Sequence, residues 1–249
     1  MKFLSVPCLV FFLVILLSCE KVVTIEKEEA HWDYENPDWQ QIGYISCGGN
    51  AQSPVDVNTT STLVVDQLPT LEFDYRPFAM KIVDNGHTIQ VNPPQPDNAL
   101  VFNQVRYTFV QFHFHHHSEH QIDGQYHPLE LHCVHRDQAG NLLVLTFMVD
   151  IGESHSFFDL VFDNIPNIQN MEISTQIQLN ISDLLPFHQG YFTYYGSLTT
   201  PPCSATVQFI ILKEYITASP QQISKFASFY DDNYRVIQPL NNRIILEKP

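Results

Sequence analysis

The chain has 249 residues, of which 44% are hydrophobic and only 16% charged, so most of it should fold around a core rather than remain disordered. Twelve lysines and arginines stand against 27 aspartates and glutamates, and the net charge of -15 argues against nucleic acid as a partner. The chain also has 12 histidines, and eight of them lie between positions 113 and 135. Such clustering is typical of metal binding or proton transfer.

The first residues have the pattern of an export signal. Lys2 precedes a mostly apolar run over residues 3–17, which is too short for a comfortable transmembrane span. Residues 1–18 are therefore predicted to be a signal peptide. The run ends in Leu-Leu-Ser-Cys, which resembles a bacterial lipobox, with Cys19 as the lipidated first residue of the mature chain. The alternative is ordinary secretion with cleavage nearby. We expect an exported lipoprotein of the cell envelope or periplasm, anchored to the membrane through Cys19.

Residues 19–30 form the next predicted segment, the lipidated cysteine followed by a highly charged stretch without glycine or proline. Such a stretch has little to bury, and we interpret it as a tether between the membrane and the folded part. The sequence has no internal repeat, low-complexity block or second linker after this point. A single domain is therefore predicted over residues 31–249.

Alternation of polar and apolar residues predicts several strands in this domain. Residues 81–84 and 87–91 flank Asn85-Gly86, a dipeptide that favours a tight hairpin. Residues 106–115 and 129–135 alternate strictly, which is typical of strands with one buried face.

Two further segments, 141–149 and 205–212, are nearly continuous apolar runs, as expected of strands buried on both faces. The clearest helix starts after Ser219, an N-cap followed by Pro220 at the first helical position and Gln222 at the capping-box position. Its apolar residues recur at helical spacing, at Ile223, Phe226 and Tyr230. The sequence thus predicts a mainly antiparallel sheet with a few short helices.

Strand geometry gives the histidine cluster a chemical meaning. Side chains two apart share a face of a strand, so His113 and His115 point the same way, and His132 faces the same side if the two strands are neighbours. Three imidazoles with an open fourth position form the ligand set of catalytic zinc. Gln111 and Glu130 lie on the same face, two residues before a histidine, where each would accept the remaining ring N–H.

An H-x-H pair alone is weak support for a metal site, because many β-proteins contain one. The other histidines of the cluster are interpreted as solvated side chains or local hydrogen-bond partners; they are His116, His117, His120, His127 and His135. The combination of H-x-H with E-x-H at strand phasing is the stronger signal.

The five cysteines fit an exported chain. Cys8 leaves with the signal peptide and Cys19 is the predicted lipidation site, so Cys47, Cys133 and Cys203 remain. An odd number in an exported protein indicates one bridge and one free thiol. Composition alone does not choose the pair.

Several motifs in fixed order give the domain a family resemblance. They are HWDY at 31–34, QSPVDV at 52–57, DNGHTIQV at 84–91, QFHFH at 111–115, SEH at 118–120, ELHCVH at 130–135, YGSLTTPP at 195–202 and QPLNNR at 238–243. With these motifs the chain resembles the α-class carbonic anhydrases, and specifically their exported bacterial branch. The resemblance implies a mainly β fold, with a large twisted, mostly antiparallel central sheet and a few short surface helices. It also implies reversible, zinc-dependent hydration of carbon dioxide to bicarbonate and a proton.

The resemblance implies a role for each matching residue. His113, His115 and His132 match the Zn2+ ligands. Thr199 matches the residue that accepts a hydrogen bond from zinc-bound hydroxide and donates its own proton to the carboxylate of Glu119. His87 matches the proton shuttle, and its place after Asn85-Gly86 predicts an exposed ring.

Further residues match the family's water network, substrate pocket and disulfide. The residues matching the water network are Tyr34, Asn85 and Gln90, the last replacing the asparagine common in animal members. The residues matching the pocket for carbon dioxide are Val134, Val144, Leu198, Thr200 and Val207. Phe209 occupies a position that is tryptophan in animal members. Cys47 and Cys203 match the disulfide of the bacterial branch, which leaves Cys133 free and buried behind the ligand strand. A homodimer is expected by family analogy only.

Two alternatives from other functional classes remain. One is a carbonic-anhydrase-like binding protein without catalysis, although the matching ligands, Glu119 and Thr199 are all intact. The other is a surface lipoprotein that adheres or scavenges metal, suggested by the lipobox and the additional histidines. Zinc stoichiometry separates the enzyme, with one tight ion, from a scavenger with several weaker ones.

Overall fold

The computed structural model describes residues 30–95 and 97–249, and residues 31–249 form one unit of packed elements. The predicted signal peptide, Cys19 and the tether up to residue 29 lie outside the described residues. Within the described ranges, no helix is long and apolar enough to cross a membrane.

Strands dominate the secondary structure. They are β1 Asp56–Val57, β2 Leu63–Val64, β3 Glu72–Asp74, β4 Phe78–Asp84, β5 Ile89–Asn92, β6 Ala99–Phe102, β7 Val105–His115, β8 Gln121–Ile122, β9 Leu129–Arg136, β10 Leu142–Ile151, β11 Glu172–Leu179, β12 Tyr191–Gly196, β13 Val207–Leu212, β14 Ile216–Ala218 and β15 Leu246–Lys248. The helices are α1 Ser156–Phe162 and α2 Pro220–Ala227, with 3-10 turns at Ile45–Gly48 and Ile181–Leu184.

One large sheet has the strand order β11-β4-β5-β7-β9-β10-β13-β12-β15-β2 along its main path. The prediction of a mainly β fold with short helices is confirmed, with one difference: the sheet is mixed. β10 runs parallel to β13 and β14, and β15 runs parallel to β2. The long connection from β10 to β13, which includes α1 and β11, gives the chain room to return in the same direction.

The hairpin between β4 and β5 has a longer loop than predicted. Asp84 pairs with Ile89, so four residues separate the strands and His87 lies in the loop rather than in β5. The side-chain oxygen of Asn85 accepts hydrogen bonds from the backbone N–H of His87, at 3.0 Å, and of Thr88, at 2.9 Å. These bonds stabilise a wider turn than a two-residue hairpin.

Strand β7 does not alternate strictly, contrary to the prediction. Its register against β9 shifts between Phe109 and Gln111, which leaves Val110 as an additional residue. Phe109, Phe112 and Phe114 therefore all face the same core and are fully buried or nearly so. The shift fixes which face of β7 carries its histidines.

The two faces of the sheet have different coverings. One face packs against a large apolar core to which α1 contributes Phe157 and Phe158 and α2 contributes Ile223 and Phe226. Helix α2 begins with the predicted capping box, in which Ser219 and Gln222 exchange hydrogen bonds. The other face has a smaller apolar cluster, and His113, His115 and His132 lie on that side of β7 and β9.

Candidate metal centre and active site

Three imidazoles converge where β7 and β9 are paired. His113 lies directly opposite His132 in the ladder, and His115 follows on the same face of β7. Their ring centroids are 4.8 to 5.3 Å apart. One nitrogen from each ring lies within 4.8 Å of the others, so the three could hold a metal ion.

The second nitrogen of each ring is held by an oxygen acceptor. His113 Nδ1 is 2.9 Å from Gln111 Oε1, and His132 Nε2 is 2.5 Å from Glu130 Oε1. His115 Nδ1 is 2.7 Å from the backbone oxygen of Asn233. Because these oxygens only accept hydrogen bonds, each ring donates there. The free nitrogens are then Nε2 of His113 and His115 and Nδ1 of His132.

Burial tunes the protonation of these rings. Burial, with the nearby His115 and His132, holds the pKa of His113 well below its usual range, and burial also lowers the pKa of His115. Burial alone would lower the pKa of His132 as well, but the Glu130 carboxylate outweighs it and raises the pKa. His113 and His115 are therefore neutral near pH 7, and each offers a lone pair to a cation.

Two buried polar atoms next to this cluster support a metal at this position. His115 Nε2 and Glu119 Oε2 are inaccessible to solvent and have no hydrogen-bond partner among the described residues. They lie 3.4 Å apart, and Glu119 Oε2 is 3.8 Å from His132 Nδ1. A buried imidazole nitrogen without a partner is costly unless something binds it. Three converging imidazole nitrogens fit the protein ligand set of tetrahedral zinc.

The predicted hydrogen bond from Thr199 to Glu119 is absent from the described residues. Glu119 Oε1 accepts the backbone N–H of Arg235, at 2.9 Å, and its other oxygen faces the imidazoles. Thr199 is buried in the loop between β12 and β13, directly before a turn closed by a hydrogen bond from Cys203 N to Thr200 O. The roles of Thr199 and Glu119 in the reaction stay predictions.

Glu130 supports more than one histidine. Besides His132, it accepts the backbone N–H of His120, at 2.8 Å, and contacts His120 Nδ1 at 2.7 Å. His120 Nε2 lies 2.6 Å from Tyr194 Oη, which donates to Ser53 Oγ. His120 is therefore a buried hydrogen-bond partner rather than a solvated side chain.

His87 is half-buried rather than exposed. Its ring stacks on Trp32, with centroids 3.8 Å apart and planes 9° apart. Burial lowers the pKa of His87, and the nearby His31 lowers it further against the opposing charge of Asp33. Of the predicted water-network residues, Asn85 and Gln90 are in contact, whereas Tyr34 packs edge-to-face on Trp32.

The predicted carbon dioxide pocket is an apolar patch on the ligand face. Val144 and Val207 are buried in the smaller apolar cluster, and Val134 and Leu198 pack against it partly buried. Phe209 belongs to the same cluster, with its ring centroid 5.9 Å from that of His132. Thr200 lies half-buried in the neighbouring turn.

Cys47 and Cys203 form a disulfide, and Cys133 is free and buried in the core behind β9. The backbone oxygens of the bridged residues are also held. Arg235 Nη2 donates to Cys47 O at 2.9 Å, and Gln52 Nε2 donates to Cys203 O at 3.2 Å. The loop that carries Thr199 is thus fixed to the N-terminal segment by the disulfide and by the hydrogen bond from Gln52 to Cys203 O.

Sequence reasoning did not find Arg235, Asn233 or Tyr194, although all three hold residues of the site. Asn233 and Arg235 reach His115 and Glu119 through backbone atoms, and such contacts leave no residue-type pattern in a sequence. Tyr194 lies in β12, a strand whose residues are almost all buried, so nothing in the sequence separates it from its core neighbours.

The sequence around this site is similar to those of known proteins. A sequence profile described as eukaryotic-type carbonic anhydrase matches residues 34–249. The chain belongs to the carbonic anhydrase family. The carbonic anhydrase of Nostoc sp. is 36% identical over 222 residues, which cover 87% of this chain and 81% of that one. The carbonic anhydrase of Neisseria gonorrhoeae is 35% identical over 244 residues, covering 94% and 95%.

A solved structure gives the same result for the fold. The α-carbonic anhydrase of Thermovibrio ammonificans, in complex with the inhibitor sulfanilamide, superposes with a TM-score of 0.83 and 35% identity, covering 87% of this chain and 99% of that one. With several relatives named carbonic anhydrase, the chain is an enzyme of this family.

Proposed function

We propose that this carbonic anhydrase family member hydrates carbon dioxide reversibly to bicarbonate and a proton, with zinc held by His113, His115 and His132. The observation that carries the proposal is that these rings converge while each commits its other nitrogen to an acceptor. Zinc supplies Lewis-acid activation of water, a general property of carbonic anhydrases. The residues present fit that group.

Other residues of the site are proposed to orient the ligands, to bind the substrate and to orient the reacting water. Gln111, Glu130 and the Asn233 carbonyl hold the three rings in the orientations that direct their free nitrogens towards one point. Val144 and Val207, with their apolar neighbours, give carbon dioxide a surface without strong polar contacts, which suits a substrate without a dipole. Thr199 is proposed to orient the reacting water through its hydroxyl group, with Glu119 as the acceptor of the hydroxyl proton.

His87 is proposed to move the proton between the site and the buffer. An imidazole titrates close to neutral pH, so it can accept and release a proton under the same conditions. Its loop position beside Trp32 and its partial exposure support this role. His87→Ala should slow turnover mainly in weak buffer, and an unchanged rate there would contradict the assignment.

The test is carbon dioxide hydration by the purified protein with one equivalent of zinc, measured with and without a chelator. Activity that disappears with the chelator and returns with zinc supports the proposal. His132→Ala should lose both metal and activity. A zinc-loaded protein that is inactive favours the non-catalytic binding alternative, and several weak zinc ions instead of one tight ion favour the scavenger.

Export as a lipoprotein anchored through Cys19 is a separate proposal, supported by the apolar run and the lipobox-like sequence. The Cys47–Cys203 disulfide is consistent with an oxidising compartment. Labelling of cells with a radioactive fatty acid, comparing wild type with Cys19→Ser, tests the anchor. The homodimer stays a prediction, and light scattering on the purified domain tests it.

A further inference from the structure

We propose that Asn233 is a positioning residue, whose side-chain amide fixes the loop of His87 against the end of the metal-binding strand β7 and thereby sets the rate of proton transfer. This inference rests on the proposed function, because it acts through His87.

The side chain of Asn233 is 2% exposed and uses all of its hydrogen-bonding groups. Its Nδ2 donates to the backbone oxygen of His87 at 3.0 Å and to that of Phe114 at 2.9 Å. Its Oδ1 accepts the backbone N–H of His116 at 2.8 Å. One amide thus connects the loop that carries His87 to Phe114 in β7 and to His116, the residue directly after β7.

The backbone of the same residue touches the metal site. Asn233 O accepts from Nδ1 of His115, and Asn233 N donates to the backbone oxygen of His116 at 3.0 Å. These backbone contacts depend on the path of the chain rather than on the side chain. A side-chain substitution can therefore remove the connection to His87 while leaving the acceptor for His115 in place.

The backbone oxygen of His87 depends on Asn233. Within the described part of the chain, Asn233 Nδ2 is the only hydrogen-bond donor to the His87 backbone oxygen. Thr88 Oγ1 donates to Phe114 O at 2.6 Å, which fixes the end of the loop nearest β5. The backbone N–H of His87 is held by Asn85 Oδ1, its backbone oxygen by Asn233 and its ring by the stack on Trp32.

Loss of the Asn233 side-chain donor should affect kcat and kcat/KM differently. Conversion of carbon dioxide depends on the metal site and determines kcat/KM, whereas export of the proton through His87 contributes to kcat. A shift of about 1 Å in a reacting group can reduce a rate by up to about 100-fold. Loss of the amide donor should therefore lower kcat and leave kcat/KM unchanged.

The experiment compares zinc-loaded Asn233→Asp and Asn233→Ala with wild type. Aspartate keeps the size and the acceptor for His116 but removes the donor, and alanine removes the donor without adding a charge. Asn58→Asp is the matched control, because Asn58 is exposed and its side chain contributes only Oδ1 as an acceptor to hydrogen bonds. The measurements are kcat and kcat/KM in weak buffer, the same with excess imidazole, and the absorption spectrum of the cobalt(II) form.

Both Asn233 variants should lose about tenfold in kcat in weak buffer and recover it with imidazole, with kcat/KM and the cobalt spectrum unchanged. An unaltered kcat in weak buffer overturns the inference. A parallel fall of kcat and kcat/KM with an altered cobalt spectrum also overturns it, since Asn233 then acts on His115. If the alanine variant does not fold, the aspartate variant carries the test.

Failure of this inference is distinguishable from failure of the proposed function. A wild-type protein without hydration activity contradicts the function, and His87→Ala without a buffer-dependent defect contradicts the shuttle and removes the basis of this inference. A defect in His87→Ala alone, with none in Asn233→Asp, overturns the inference only. The double variant should be no slower than His87→Ala, because Asn233 acts through that residue.

Discussion

Glu130 and His132 lie two residues apart on the same face of β9, with Glu130 Oε1 2.5 Å from His132 Nε2. The carboxylate is completely buried, yet its pKa is held well below the usual range, because His120 and His132 outweigh the effect of burial. Glu130 is therefore a buried anion surrounded by donors. Its charge fixes which nitrogen of His132 is left for the metal.

Glu130→Gln should weaken zinc binding. Both imidazoles donate to Glu130 Oε1, and the backbone N–H of His120 donates to Oε2. The N–H group of the glutamine therefore faces either both rings or that backbone N–H, and in both orientations the negative charge opposite His132 is lost. The loss expected for such a supporting residue is about 10- to 100-fold in metal affinity. Competition with a chromogenic chelator measures it.

Glu172→Gln is the matched control, because Glu172 is exposed and has only surface contacts, with Lys81 at 3.8 Å and with Asn92 Nδ2 at 3.0 Å. Zinc affinity should be the same as in wild type. Equal affinities for Glu130→Gln and this control would contradict the assigned role of the Glu130 carboxylate.

Much of the metal centre is predictable because its geometry is local. Residues two apart on a strand share a face, so the positions of His113, His115 and His132 relative to Gln111 and Glu130 follow from sequence alone. The shift in β7 also had a local signal, since Phe109 and Phe112 are three apart where strict alternation requires an even spacing.

Other contacts of the site join residues that are far apart in the sequence, so they depend on how the whole chain folds. The acceptor for His115 and the donor to Glu119 are backbone groups of Asn233 and Arg235, more than 110 positions further on. No local pattern indicates that this segment crosses β7. Likewise, the partial burial of His87 results from Trp32, which is distant in sequence and brought close only by tertiary packing.

Trp32→Ala should raise the pKa of His87. Burial is the main cause that lowers this pKa, and the stacked indole ring covers one face of the imidazole. Removing the indole admits water and moves the pKa towards its ordinary value of about 6.5. An NMR titration of the His87 ring carbons in zinc-loaded protein measures the change.

A substitution of Asp33 provides a control in which the pKa of His87 should change in the opposite direction. Asp33→Asn should lower the pKa of His87 further, since Asp33 favours the protonated ring. An unchanged titration curve in Trp32→Ala would show that the indole does not control the solvation of His87.

His135→Gln should flatten the dependence of stability on pH. His135 is completely buried, donates from Nδ1 to Cys133 O and receives Tyr75 Oη at Nε2, so the neutral ring satisfies both nitrogens. Burial lowers its pKa to about 4. The unfolded chain, with a pKa of about 6.5, binds more protons between these values, so wild type loses up to about 3 kcal/mol as pH falls from 6.5 to 4.

Urea unfolding between pH 4 and 8, compared between the variant and wild type, isolates this contribution, because the metal ligands titrate in both proteins. His188→Gln is the control, since His188 is exposed and its replacement should leave the pH profile unaltered. A His135→Gln profile as steep as that of wild type would contradict the assignment.

Replacing both bridged cysteines, Cys47→Ser with Cys203→Ser, should destabilise the domain. The bridge closes a loop with a sequence separation of 156. Removing such a constraint from the unfolded chain costs about 2 to 5 kcal/mol. The double variant should therefore unfold at lower urea concentration. A reducing agent should destabilise wild type by a similar amount and leave the variant unchanged, since Cys133 has no disulfide partner within the described ranges. Equal midpoints for wild type and the double variant would show that the hydrogen bonds of Arg235 and Gln52 hold this turn without the disulfide.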